Sequence, residues 1–249
     1  GLSAAFYCRK MGYPVTVFEK ECRPGGMLLN GIPSFRLEKN IIDAEIEVLR
    51  QMGVTFKCGV EVGKDVTIQQ LREEGFKAFY VAIGAQGGRK AGVPGEDADG
   101  VKTGVEFLRS VNLDESTKLS GRTVVVGGGN VAMDAARTAK RLGAEVHVVY
   151  RRGEEELPAR KEEVHHAKEE GIIFALLQNP TELLVDENGC VKGARVIKME
   201  LGEPDASGRR SPVEIQGSEY EIEADTVIMS LGTSPNPLIS STTKGLETN

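Results

Sequence analysis

Residues Thr123–Arg152, TVVVGGGNVAMDAARTAKRLGAEVHVVYRR, limit the fold of this chain more than any other stretch. Thr123–Val126 is a run of β-branched residues, the composition of a buried parallel strand. Gly127, Gly129 and Ala132 follow in the spacing G-x-G-x-x-A. Val131, Ala135, Ala139 and Leu142 recur at helical spacing, and Gly143 is placed to end the helix. Glu145–Tyr150 reads as a second strand, so about 30 residues make one β-α-β unit of the dinucleotide-binding size. Gly127 permits the tight turn, and Gly129, with no Cβ, lets a pyrophosphate approach the backbone. Ala132 lets helix and strand pack closely, while the N–H groups and positive dipole end of the helix face the phosphates. The alternative is a glycine-rich turn that only packs a helix on a sheet.

The end of the second strand selects the nucleotide. An acidic residue there would accept hydrogen bonds from a ribose 2′-OH, but this strand ends Tyr150-Arg151-Arg152. Two guanidinium groups suit a 2′-phosphate and favour NADP(H) over NAD(H). The alternative is a solvated arginine corner.

The bulk numbers set limits. A chain of 249 residues has room for one large or two medium domains. Its 40% hydrophobic and 27% charged residues are those of a globular protein. A net charge of −6 argues against a nucleic-acid or anionic-membrane surface. No apolar run approaches the ~20 residues of a membrane span. The chain opens inside a helix-like segment, so no signal peptide and a cytoplasmic location are expected. Cys8, Cys22, Cys58 and Cys190 are scattered without a C-x-x-C. That spacing argues against a redox-active dithiol and against a zinc or iron–sulfur motif, and no metal site is expected.

Gly1–Gly12 reads as the later part of another fingerprint: a helix with small and apolar residues on one face, closed by Gly12. Val15–Phe18 then makes a strand ending in Glu19, whose carboxylate sits where a ribose hydroxyl would bind. Gly1 matches the last glycine of the motif, and its first strand and G-x-G are expected upstream of the sequence in hand. A coincidental helix–strand pair is the alternative. Arg23–Leu28 is a glycine turn and Gly31–Arg36 a loop. Glu38–Met52 is predicted helical, Val54–Cys58 a strand, and Thr67–Glu74 a short helix capped by Thr67. Phe79–Ile83 is predicted as a strand running into Gly84-Ala85, where small residues would let a cofactor lie against the sheet edge. Val93–Asp97 has linker composition and closes a first domain at 1–97.

Helices are predicted at Thr103–Ser110 and Leu157–Glu170. His165 and His166 are adjacent and cannot share a helix face, so they are read as surface residues rather than ligands. Ile172–Leu177, Glu182–Val185, Val191–Met199 and Tyr220–Glu223 are predicted strands, with Gly202–Ser211 an exposed hairpin loop. Thr226–Met229 is a last apolar strand, followed by Ser230-Leu231-Gly232. Thr233–Pro237 reads as a second linker, which gives a middle domain at 98–232 and a return segment at 233–249.

Together these features resemble the flavin-dependent NADPH oxidoreductase family of the glutamate synthase small (β) subunit. The resemblance rests on Glu19-Lys20 followed by Pro24-Gly-Gly26, and on Gly31-Ile-Pro-Ser-Phe-Arg-Leu37 and Val93-Pro-Gly-Glu96. It continues through Val126-Gly-Gly-Gly-Asn-Val-Ala-Met-Asp134, Tyr150-Arg-Arg-Gly153 and Leu231-Gly-Thr-Ser-Pro-Asn-Pro237. It implies an α/β fold of two Rossmann-like, doubly wound, three-layer nucleotide-binding domains, with an NADPH domain inserted into an FAD domain. It further implies that Glu19 and Lys20 meet the FAD adenosine. Gly25, Gly26, Met27 and Arg36 would line the flavin pyrophosphate and ribityl side, with Val62 nearby and Gly1 and Gly84 at the cofactor. Gly127, Gly128, Gly129, Asn130 and Val131 would hold the NADPH pyrophosphate. Arg151 and Arg152 would take the 2′-phosphate with Arg160 as a third group, and Ser230, Leu231 and Gly232 would lie beside the nicotinamide.

In that family NADPH passes a hydride to the flavin and the electrons leave through iron–sulfur clusters. The chemistry belongs to the cofactors, so no catalytic side chain is expected. Family members carry the clusters in an N-terminal domain that this sequence lacks. They feed a large glutamine amidotransferase/synthase subunit, or another electron-accepting subunit, in L-glutamate synthesis. No nucleic acid or membrane partner is expected, and a homo-oligomer is compatible. With the start of the FAD motif and the C-terminal FAD segment missing, the FAD site is expected to be incomplete and the chain to bind FAD poorly by itself. The large subunit of a ferredoxin:NADP oxidoreductase, or a nucleotide-binding piece without turnover, are the other readings.

Overall fold

A computed structural model describes every residue except 115, 205, 207, 248 and 249. It forms two compact units, Gly88–Thr233, and Gly1–Gly87 with Ser234–Asn249. Short strands Gly87–Gly88 and Thr233–Ser234 pair where the chain crosses between them.

The unit Gly88–Thr233 is built on a parallel sheet. Its strands run in the order Val101–Thr103, Thr226–Met229, Arg122–Val126, Glu145–Tyr150, Ile173–Leu176. Side chains alternate between its faces as the strand period of two requires. Val125, Val146 and Val148 pack with Phe107, Ala132, Ala136, Ala139 and Val164, which come from the helices Gly104–Leu113, Asn130–Arg141 and Lys161–Glu169. Val124, Val126, Val149 and Val227 pack on the other side with Leu183, Val191, Ala194 and Val196. Those residues come from an antiparallel sheet in which Val191–Pro204 pairs with Gln178–Val185, Arg210–Glu214 and Tyr220–Glu223. The three layers are therefore helices, parallel sheet and antiparallel sheet. At about 1.5–3 kcal/mol for each fully buried valine, the central strands supply a large part of the driving force.

Three expectations change in this unit. The predicted hairpin loop at 202–211 is shorter than expected: Val191–Pro204 runs into it and pairs with Arg210–Glu214, Arg210 opposite Pro204. Polar side chains hold a strand when a neighbouring strand takes their backbone groups. Residues 205 and 207 of that expected loop lie outside the described residues. The helix predicted over 157–170 is only Lys161–Glu169. Pro158 disfavours helical backbone at Leu157, and the turn before the helix is tied down by other bonds. Gln178–Val185 starts four residues before the predicted strand, with a register shift between Pro180 and Glu182. His165 and His166 are both exposed, as read from their spacing.

In the other unit Thr16–Glu19 pairs in parallel with Thr55–Cys58. Helix Leu2–Lys10 packs Ala5 against Leu49 and Val54. Helix Lys39–Gln51 forms as predicted and buries Ile42, Ile46 and Leu49, while Ile41 and Val48 stay exposed. Thr67 caps helix Ile68–Glu73, accepting from the Gln70 amide while the Gln70 side chain accepts from the Thr67 amide. Residues 79–83, predicted as a strand, are not one. Tyr80 is 75% exposed, and Val81 and Ile83 are also on the surface. An apolar, β-prone sequence becomes a strand only where a neighbour takes up its N–H and C=O groups. Among the described residues no strand pairs with this one.

Among the described residues no helix is long and apolar enough to cross a membrane. Among the described residues no three His, Cys, Asp or Glu side chains converge as metal ligands.

Candidate functional site

The carboxyl ends of the parallel strands bring the fingerprint residues together. Gly127 leaves the central strand at φ +137°, and a methyl group there would collide with the Ser230 carbonyl oxygen. Its N–H donates to the Val149 carbonyl at 2.9 Å, and the Ser230 N–H donates to the Val126 carbonyl at 2.7 Å. Three strand ends are thereby tied around one turn. Gly128 is buried, and a Cβ there would lie 2.7 Å from both Tyr150 and Leu157. Its carbonyl accepts from the Ala159 N–H at 3.1 Å.

Gly129 differs from its neighbours: no atom lies within 4 Å of where its Cβ would stand. It is the N-cap of Asn130–Arg141, whose first turn holds no acidic residue and whose N-terminus has no side-chain cap. The helix thus presents amide donors and the positive end of its dipole to an open backbone surface. Ala132 is fully buried against the sheet. Asn130 is exposed, and its Oδ1 accepts from the Arg160 N–H at 3.0 Å, which places Arg160 beside the helix start. Val131 faces Gly104 across the same edge.

A second helix also begins here, and it has an anion of its own. Thr103 caps Gly104–Leu113; its N–H and hydroxyl donate to Glu106 at 3.0 and 2.7 Å. The Thr103 hydroxyl bond is the main reason the Glu106 carboxyl is held below the usual range. Of the two helix starts at this edge, only the fingerprint helix lacks a carboxylate in its first turn.

Ser230 Oγ is buried beside Gly104 without a hydrogen-bond partner among the described residues. Leu231 and Gly232 are exposed, and the Gly232 carbonyl accepts from the Arg89 N–H at 3.0 Å. Arg89 itself is exposed at this edge and was not singled out from the sequence; the basic pair Arg89-Lys90 before the linker was its only signal.

Arg151 and Arg152 separate sharply. Arg151 is exposed, whereas Arg152 is 6% exposed and donates its Nε to the Arg210 carbonyl at 2.8 Å. Arg210 in turn donates Nε to Glu156 Oε1 at 2.8 Å, with Nη2 2.7 Å from the same oxygen. Glu156 is buried, and its carbonyl accepts from the Tyr150 hydroxyl at 2.8 Å. Neither Glu156 nor Arg210 was legible as a site residue, because each gains its place only through a hairpin that returns from more than fifty residues away.

The other expected positions lie in the unit that contains the chain start. Gly1 begins helix Leu2–Lys10, and a Cβ on it would stand 3.3 Å from Ala82. Glu19 ends its strand; Oε1 accepts from the Glu21 N–H at 3.0 Å and its carbonyl from the Val60 N–H at 3.0 Å. The Lys20 ammonium is 3.9 Å from the Glu21 carboxylate. Gly25 and Gly26 lead into helix Met27–Asn30, where Met27 fills the space beside Gly31. The Arg36 guanidinium lies 6.0 Å from the Phe35 ring centroid. Val62 bridges Val66, and Gly84 stands in open space next to the unpaired segment 79–83.

Comparison with known proteins gives the same outline. Residues 1–249 match the pyridine nucleotide-disulphide oxidoreductase family. The chain is 48% identical over 236 residues to the NADP(+)-dependent formate dehydrogenase subunit beta of Moorella thermoacetica, covering 93% of this chain and 33% of that protein. It is 38% identical over 248 residues to the glutamate synthase [NADPH] small chain of Escherichia coli, covering 95% of this chain and 52% of that protein. The chain thus spans between a third and about half the length of these relatives. Its fold is similar to that of Mycobacterium tuberculosis FprA in complex with NADPH, with a TM-score of 0.77 at 22% identity over 93% of this chain and 68% of that one.

Proposed function

The chain belongs to the pyridine nucleotide-disulphide oxidoreductase family, and from that premise we propose that it is the nucleotide-handling part of an NADPH-dependent flavoprotein oxidoreductase. The observation that carries this reading is the bare N-terminus of Asn130–Arg141 behind Gly129. A pyrophosphate fits there because nothing occupies the Gly129 Cβ position and no carboxylate competes for the amides.

Each residue then has a role. The amides after Gly129 hold the pyrophosphate. Arg151, exposed at the strand end, takes the 2′-phosphate, and Arg160 stands by the helix start. Ser230 Oγ, buried without a partner among the described residues, supplies a hydroxyl on the nicotinamide side, where Leu231 and Gly232 line the edge. In the other unit Glu19 holds the FAD ribose, with Lys20, Gly25, Gly26, Met27, Arg36, Val62, Gly1 and Gly84 contributing to the flavin site. When bound, the nicotinamide supplies a hydride and the flavin accepts it; the protein contributes alignment and electrostatics.

The similarity to the glutamate synthase small chain supports a role in feeding electrons to a large synthase subunit. The higher identity to a formate dehydrogenase beta subunit favours a second reading, in which the same module serves a different redox subunit. Calorimetric titration of the purified chain with NADPH and NADH tests the core of both. NADPH is expected to bind at least about tenfold more tightly, as charge-assisted contacts to one extra phosphate allow. Equal affinities would remove the assignment of Arg151.

A further inference from the structure

The hairpin made by Val191–Pro204 and Arg210–Glu214 reaches the end of the Glu145–Tyr150 strand. There it closes a ring of contacts. Tyr150, the residue before Arg151, donates its hydroxyl to the Glu156 carbonyl. Glu156 Oε1 receives both Nε and Nη2 of Arg210. The Arg210 carbonyl receives Nε of Arg152. Gly153 makes the turn tight, since a Cβ on it would sit 2.8 Å from Glu156 Oε2.

This ring treats its two arginines differently. Arg152 is buried and bound to backbone, but the Arg210 side chain is 47% exposed. Its Nη1 has no hydrogen-bond partner among the described residues. Glu156 therefore fixes one edge of the Arg210 guanidinium, and the exposed Glu155 carboxylate stands only at 3.9 Å from Nη2, so Nη1 is left open. A buried carboxylate is a costly way to stabilise a fold, because an apolar residue of the same volume does as well or better. Its clear effect here is to hold a guanidinium in advance of any ligand, which lowers the ordering cost of binding. Two arginines linked side by side beyond the strand end suit a phosphate monoester, an acceptor of charge-assisted forked bonds.

We propose that Arg210, clamped by Glu156 and coupled to Arg152, is a nucleotide-specificity residue that meets the 2′-phosphate of NADP(H) from the hairpin side. This rests on the placement of NADPH at the fingerprint helix given above. It assigns discrimination to a residue 58 positions along the chain from Arg152.

The test is calorimetric titration of the full chain and its Arg210→Ala, Arg210→Lys and Arg151→Ala variants with NADP+ and NAD+. Arg210→Ala is expected to weaken NADP+ by about tenfold and leave NAD+ unchanged. Arg210→Lys keeps the charge but not the fork on Glu156, and is expected to lose about threefold for NADP+ alone. Unchanged NADP+ affinity in the folded Arg210 variants would overturn the proposal, as would an equal loss for both nucleotides, the mark of a merely structural role. Should Arg151→Ala abolish the preference while both Arg210 variants keep it, the Arg210 assignment alone fails. Should the unaltered chain show no preference for NADP+, the NADPH reading itself falls and takes this proposal with it.

Discussion

Gly127 and Gly129 are two residues apart and do different work. At Gly127 the backbone adopts φ +137° and a side chain would strike Ser230, so the position serves the fold. Gly127→Ala is expected to lower stability by about 1–3 kcal/mol from backbone strain, with the collision added. Chemical denaturation would measure it. At Gly129 the space is empty and φ is −89°, so the fold itself makes no demand for glycine, which is why the position is proposed to serve a ligand. Asp is a better N-cap than Gly and complements the helix dipole, so Gly129→Asp is expected to leave stability unchanged or slightly raised. It puts a negative charge where the pyrophosphate belongs, and NADPH affinity should fall by at least about tenfold. A Gly129→Asp protein that binds NADPH normally would show that this helix is not the phosphate site. The spacing G-x-G-x-x-A announced both glycines, but the burial of Gly128 beneath Tyr150 and Leu157 was not legible. It depends on a loop that folds back only after the second strand is in place.

Elements were legible where local rules and tertiary context agree. The capping signal at Thr67 and the apolar period of Lys39–Gln51 both led to the observed helices. The cap of Gly104–Leu113 extends this to energetics. Thr103→Ala removes a capping box and is expected to destabilise by about 1 kcal/mol. The same bond holds the Glu106 carboxyl below its ordinary value. A depressed folded-state pKa stabilises at pH above the unfolded carboxylate value of about 4.3, and that contribution is lost as pH falls through the lower folded value. The melting temperature of Thr103→Ala should therefore drop less steeply in acid than that of the unaltered chain; parallel curves would contradict the assignment. Residues 79–83 mark the limit of local rules. Their composition satisfies a strand, yet strand formation is decided by a partner.

At the scale of the molecule, the two units differ in how their sheets are supported. The parallel sheet of Gly88–Thr233 is covered on one face by helices and on the other by an antiparallel sheet, so its central valines are fully buried. Among its described residues, the unit holding the chain start pairs Thr16–Glu19 in parallel with Thr55–Cys58 and has smaller clusters around Ala5, Leu49 and Leu29. Amide hydrogen exchange should follow this contrast. Residues 124–126 and 146–149 are expected to be among the slowest, and residues 79–83 to exchange near the unprotected rate. Strong protection at 79–83 would mean that a partner strand is present in solution. The sequence alone determined the β-α-β fingerprint, the helix it opens and the arginines at the strand end, because these follow from local spacing and from turns that only small residues allow. Tertiary structure alone decided that Arg152 is buried while Arg151 is exposed, that Glu156 clamps Arg210, and that 79–83 finds no partner strand among the described residues. Each of those outcomes depends on which distant segment arrives or fails to arrive as a partner, and no local pattern encodes that arrival.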